Sequence, residues 1–325
     1  MAHFDFPLHE LQTYQPRQTR QPDFEAFWRD TLAQSAAHPL DIHLDELDLP
    51  YTGARIARLS YAGWDGANIV GTYAVPAAPG PFPAVAIFHG YGSARPDPFL
   101  LLAWVSQGYA VLAVDVRGQS GESSDTTSYP GGHVPGYLTL GIHDPTRYYY
   151  RGVYIDALRA VAVLAALPDV DAGRIMITGA SQGGGITLAV AALSAMYPRL
   201  QQAGIHVQAA VAEVPFLCHF ERAVSLVDTE PYREIARYCR RSGASVAQVF
   251  RTLSYFDCLN MADVIACPTL VTVGLMDIIC PPSTIFAVYN HIQVTKAITI
   301  DSYGEHDTFP GVPEARMRWF QQHIS

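Results

Sequence analysis

No lysine- and arginine-rich run stands out in the 325 residues, and acidic residues outnumber basic ones by 30 to 21. A surface of that balance repels polyanions, so no nucleic-acid partner is expected. The five cysteines, Cys218, Cys239, Cys258, Cys267 and Cys280, contain no CxxC pair and join no Cys/His group at zinc-ligand spacing. An odd, unpaired set argues against a disulfide framework and a structural metal, and no cofactor is expected. No run of about 18 apolar residues escapes interruption by charge or turn residues, so no membrane partner is expected either. The first residues, Met1 to Pro7, lack a basic segment leading into an apolar run. No signal peptide is therefore expected, and a reducing cytoplasm is the expected compartment. Internal repeats and low-complexity tracts are missing too. Charged residues make up only 16% and hydrophobic ones 49%, which rules out global disorder and supplies a large core.

What is present is a rhythm of strands and helices. Residues 1–50 read as an N-terminal arm, with a short amphipathic helix over Asp23 to Leu32. Arg55 to Tyr61 alternates as a half-exposed strand does, and Asn68 to Val75 is a second strand closed by Pro76. Short apolar runs follow at Ala84 to Phe88, Ala110 to Val114, Ile175 to Thr178, Ala209 to Ala212, Thr269 to Val273 and Ala297 to Ile300. Such runs predict strands buried on both faces. Helical patterns at Pro98–Gln107, Val153–Ala166, Ser181–Ala195, Ser283–Asn290 and Pro313–His323 separate them. Strands alternating with helices give an α/β class with a mostly parallel sheet. One domain over residues 1–325 is expected, with a charged helical insertion at about 216–261.

Gly179-Ala180-Ser181-Gln182-Gly183 matches G-x-S-x-G. The pattern is weak alone in a chain with 25 glycines, but a buried strand runs into it and a helix runs out of it. A sharp strand-to-helix turn of this kind strains the serine backbone and lifts its hydroxyl above the sheet edge. Helix capping by Ser181 is the competing structural reading. Strand, elbow and helix together point to the α/β-hydrolase fold with Ser181 as nucleophile.

In that fold an acid and then a histidine follow in the chain. Asp277 ends the strand run that begins at Thr269 and precedes Pro281 and Pro282. Asp257 and Asp263 lie in or beside the insertion, where capping or solvent exposure is expected. Asp301 ends a strand too, but only five residues before the candidate base. His306, between the last strand and the last helix, is that base. The backbone N–H groups of Gln182 and of Tyr91, in the loop His89-Gly90-Tyr91-Gly92, are the expected oxyanion donors.

The sequence resembles the cephalosporin C deacetylase and acetyl xylan esterase group, carbohydrate esterase family seven. The likeness is carried by His89-Gly90-Tyr91, Arg117-Gly118-Gln119, Tyr148 through Tyr154, Gly179 through Gly185, Thr252 through Asp257, and Gly274 through Thr284. It extends along nearly the whole chain. The resemblance implies the triad Ser181, Asp277 and His306, oxyanion donors at Tyr91 and Gln182, and structural supports at Arg117 and Gln119. It also implies a metal-free enzyme that deacetylates small O-acetylated compounds and assembles as a hexamer. Two departures stand out. His306 is followed by Asp307 where the family usually has Glu, and Tyr197 to Val207 is longer than the family pattern, which suggests a surface loop or altered subunit packing. Other readings are a different short-chain carboxylesterase, a lipase or peptidase, and a binding protein of the same fold without catalysis. The insertion lacks the apolar lid of a lipase, and no room remains for the large extra domain of a peptidase.

Overall fold

The apolar runs assemble into one sheet in this computed structural model, which describes residues 4–243 and 245–324. Its strands are β1 (His43–Glu46), β2 (Ala54–Ala62), β3 (Asn68–Pro76), β4 (Phe82–Phe88), β5 (Ala110–Val114), β6 (Val170–Ala180), β7 (Val207–Glu213), β8 (Thr269–Gly274) and β9 (Lys296–Asp301). They lie in the order β1-β2-β3-β5-β4-β6-β7-β8-β9. β1, β2 and β3 pair antiparallel, and β3 is antiparallel to β5. From β5 to β9 every pairing is parallel. The short turn between β2 and β3 forces an antiparallel pair, whereas the parallel strands return through helices.

Side chains alternate across the strands and so feed two cores. Ala84, Ala86, Ile175 and Ile177 face the larger one, under the helices Tyr149–Ala166, Gln182–Ser194 and Pro282–His291. Val85, Val111 and Met176 face the other, under Pro98–Val105 and Val312–His323. Because β4, β6, β8 and β9 run parallel, their C-terminal ends share one edge of the sheet. In such folds that edge carries the ligand site.

Four expectations need correction. β1 lies inside the stretch read as an arm; His43-Leu44-Asp45-Glu46 is exposed throughout and offers no apolar run to detect. β9 is an edge strand with all six residues half-buried, not a strand covered on both faces. The helix expected from Val153 begins at Tyr149, because the three tyrosines before Val153 are all buried and hide the helical period. The longer segment after Tyr197 is not a plain surface loop. Pro198–Gln202 forms a short helix that buries Leu200, and the Tyr197 hydroxyl meets Ser35 Oγ at 3.2 Å.

The stretch 216–261 holds the helices Phe220–Leu226, Arg233–Arg241 and Val246–Leu253. The N-terminal residues clasp its far end. Gln18 donates to Leu259 O at 2.9 Å, Thr19 N–H donates to Asn260 Oδ1 at 2.8 Å, and Arg20 pairs with Asp263. Trp28, on the helix Phe24–Ala37, is fully buried and donates to Tyr255 O at 3.0 Å. Asp257, a rival for the catalytic acid, caps helix starts, as one of its two expected roles had it, and does not face solvent. It is buried and accepts from the backbone of His219, Phe220 and Leu259 at 2.7, 2.8 and 2.9 Å. Burial pushes its carboxyl up to about 6, against the pull of those three N–H donors.

His219 heads the first insertion helix with φ 46°, and its buried Nδ1 lacks a hydrogen-bond partner among the described residues. Burial, helped by the charges of Arg222 and His291, lowers its ring to about 4. Folding thus favours the neutral ring. The contribution is complete above about pH 6.5 and is lost as pH falls toward 4, by up to about 3 kcal/mol. Asp257 acts with the opposite sign, so a difference measurement is needed. His219→Asn keeps a residue tolerant of the left-handed conformation. Urea midpoints should show the stability of the natural protein relative to this variant falling between pH 7 and pH 4. Parallel pH profiles would contradict the assignment.

Candidate active site

Ser181 stands between β6 and the helix Gln182–Ser194 with φ 57° and ψ −119°. A non-glycine residue in this region stores roughly 1–3 kcal/mol of strain and needs its neighbours to hold it. Here Ser181 N–H donates to Glu213 O, and Ser181 O accepts from Gly185 and Phe216 N–H, all at 2.9–3.0 Å. The helix start also presses on β4. A Cβ on Gly183 would lie 2.0 Å from Phe88 O, and one on Gly179 2.5 Å from the same atom. The flanking glycines of G-x-S-x-G are therefore demanded by close backbone approach.

His306 Nε2 lies 2.8 Å from Ser181 Oγ, and its Nδ1 lies 2.8 Å from Asp277 Oδ2. Asp277 is fully buried, and its other oxygen accepts from Ile279 and Cys280 N–H at 2.8 Å each. The carboxylate is thus pinned with one oxygen aimed at the imidazole. The two loops brace each other, since Met276 N–H donates to Gly304 O at 2.9 Å. The other rivals stay apart from this chain. Asp263 pairs with Arg20, and Asp301 accepts from Tyr303 N–H at 2.9 Å. Glu305 and Asp307, which flank His306, are exposed. The loop is held instead by Thr308, whose hydroxyl donates to Glu213 Oε2 at 2.9 Å; Arg316 holds the other oxygen of Glu213 at 2.5 Å.

Gln182 opens its helix, where the first N–H groups have no intrahelical acceptor. The facing loop is fixed by His89. Val116 N–H donates to His89 Nε2 at 2.8 Å, which requires the neutral ring there, and burial lowers its pKa accordingly. Gln119 joins the two sides: its Oε1 accepts from Gly92 N–H and its Nε2 donates to Gln182 Oε1, both at 2.9 Å. Tyr150 O–H donates to the same Gln182 oxygen at 2.9 Å. Arg117 is buried one shell further out, forked on Asp156 at 2.6 and 2.8 Å and donating to Trp64 O. Its own carbonyl accepts from Tyr149 O–H at 2.6 Å.

A serine, imidazole and carboxylate hydrogen-bonded in this order are an arrangement in which the imidazole can take the serine proton while the carboxylate orients the ring. The profile of the family described as acetyl xylan esterase (AXE1) matches residues 1–323. The chain belongs to the acetyl xylan esterase family. It is similar to the acetyl xylan esterase from Paenibacillus sp. R4, with 40% identity and a TM-score of 0.92 over 98% of this chain and 100% of that one. It is also similar to acetyl xylan esterase 1 from Thermoanaerobacterium sp. JW/SL YS485, with 34% identity and a TM-score of 0.92 over 99% and 100% of the two chains. Acetyl esterase Axe7A of Xylanibacter ruminicola is 28% identical over 320 residues, which cover 94% of this chain and 68% of that protein. The fold of this acetyl xylan esterase family member is that of the α/β hydrolases.

Sequence reasoning did not assign the roles of Glu213 and Thr308, nor the ring of His89. Glu213 could have been flagged as an acid at a strand end beside the elbow; Thr308 carries no such signal. Asp277, Cys280 and His306 place ligand-type atoms within 4.8 Å of one another. Both oxygens of Asp277 are already engaged by N–H donors, so a cation could enter only by breaking the chain to Ser181. Among the described residues no helix is long and apolar enough to cross a membrane.

Proposed function

We propose that the protein is a serine esterase that removes acetyl groups from small O-acetylated compounds, including acetylated xylo-oligosaccharides and cephalosporin C-like acetyl esters. The observation that carries the reading is the hydrogen-bonded chain Ser181–His306–Asp277, with 2.8 Å at both links.

Neutral His306 takes the Ser181 proton through Nε2 as Oγ attacks the acetyl carbonyl. Asp277 holds the Nδ1–H, fixes that tautomer and stabilises the imidazolium. The N–H groups of Tyr91 and Gln182 receive the oxyanion; each such donor is worth about 3–4 kcal/mol in the transition state. His306 then protonates the leaving alcohol, and water hydrolyses the acetyl-enzyme by the reverse path. Arg117 and Gln119 act as supports, and no metal takes part in these steps.

The family likeness supports a hexameric assembly. Five cysteines without a disulfide, four of them buried, support a reducing, cytoplasmic setting. One nine-stranded sheet, with the arm clasping the far end of the insertion, supports a single α/β-hydrolase domain over residues 1–325.

Comparing p-nitrophenyl acetate, butyrate and octanoate tests the acyl specificity. Acetate is expected to give the highest kcat/KM, with octanoate at least tenfold lower, because each methylene that finds no room costs about 1–3 kcal/mol. A preference for octanoate would favour another carboxylesterase, and no turnover of any ester would favour a binding protein. Acetate release from acetylated xylo-oligosaccharides tests the natural class.

A further inference from the structure

The loop bearing Tyr91 is anchored from outside the triad. Tyr137 N–H donates to the Tyr91 hydroxyl oxygen at 2.5 Å, and the Tyr91 O–H donates to Glu234 Oε1 at 2.7 Å. The second oxygen of Glu234 accepts from Leu138 N–H at 3.0 Å. Glu234 sits on the insertion helix Arg233–Arg241 and is only 3% exposed. The loop before Leu138 wraps its carboxyl so closely that a Cβ on Gly136 would lie 2.1 Å from it. The Tyr91 ring is held edge-on between Tyr137 and Phe216, with centroids 5.3 and 6.0 Å away.

We propose that Glu234 is a positioning residue that holds the oxyanion loop through the Tyr91 hydroxyl, so that the helical insertion sets the geometry of the N–H donor at Tyr91. This rests on the esterase reading above. An ionised carboxylate suits the site, because both neighbours are donors. A protonated one does not. Its O–H would have to displace Leu138 N–H or turn the Tyr91 proton away, and the Tyr91 oxygen already accepts from Tyr137.

Burial pushes the Glu234 carboxyl up to about 7, while its hydrogen bonds from Tyr91 and Leu138 pull the other way. The other groups acting on it are Glu230, which raises it, and Arg237, which lowers it; Tyr148 lies close enough to feel its charge. Arg237 is itself paired with Glu230 at 2.8 Å, so no cation is committed to Glu234. Falling pH therefore loosens the oxyanion loop as the Glu234 carboxyl takes up a proton.

The test is the pH profile of kcat and KM on p-nitrophenyl acetate for the natural protein, Glu234→Gln, Glu234→Ala and Tyr91→Phe, each checked for folding by circular dichroism and thermal melting. On the acid side the natural protein should show a protonation that Glu234→Gln lacks. Glu234→Gln should also have kcat down about tenfold and KM within about twofold, because the oxyanion forms only in the transition state. Tyr91→Phe should match Glu234→Ala, and the double variant should be no worse than either single one. A folded Glu234→Ala or Glu234→Gln with the natural kcat and acid limb overturns the proposal, as do fully additive effects of the Glu234 and Tyr91 changes. Failure of the natural protein to hydrolyse any acetate would instead remove the esterase reading itself.

Discussion

Replacing Ser181 with Ala should lower kcat on acetyl esters at least about a thousandfold and leave the fold intact. The expectation follows from what the Oγ atom does and does not touch. Its partner is His306 Nε2 at 2.8 Å, whereas the elbow is held by backbone bonds from Ser181 to Glu213, Gly185 and Phe216. Those bonds survive the substitution, and alanine meets the same backbone strain as serine. Thermal melting should therefore shift by no more than a few degrees. Residual turnover would come from water, held by the binding site and the oxyanion donors. Activity within tenfold of the natural protein would exclude Ser181 as nucleophile.

Asp277→Asn is the second large effect, at roughly a thousand- to ten-thousandfold in kcat. The amide keeps an oxygen for the N–H groups of Ile279 and Cys280, so the loop retains its anchors. The remaining atom becomes an NH₂ facing His306 Nδ1. Two donors cannot face each other, so the imidazole shifts its proton to Nε2. A ring protonated there cannot accept the Ser181 hydrogen. KM should change little, because substrate contacts are untouched. A kcat within tenfold of the natural value would show that the carboxylate does not orient the base.

The grouping of Ser181, Asp277 and His306 was legible because three constraints coincide: a strand leading into G-x-S-x-G, an acid just past the end of β8, and a histidine between β9 and the last helix. None depends on residues distant in sequence. The supports behave differently. Glu234 lies among Arg233, Arg237, Arg240 and Arg241, which reads as a solvated helix face; only the fold brings the Tyr91 loop over it. Glu213 likewise gains its meaning from Thr308 and Arg316, some hundred residues later. The fold was readable where strands are continuous and apolar. It was not readable at β1, which is polar and exposed, nor at Tyr149, where buried tyrosines mask the helical period.

The clasp between residues 18–20 and 259–263 has a bearing on how the chain is made. Those partners are separated by 241 positions. At about 5–20 residues per second, the first segment waits roughly 10–50 s on the ribosome before its acceptors are synthesised. Until then Trp28 has its stacking partner Tyr154 but lacks the cover of Tyr255 and Phe256. The newborn polypeptide thus carries this helix only partly covered until residues 255–263 emerge, and the closing of the clasp is a late event in its maturation.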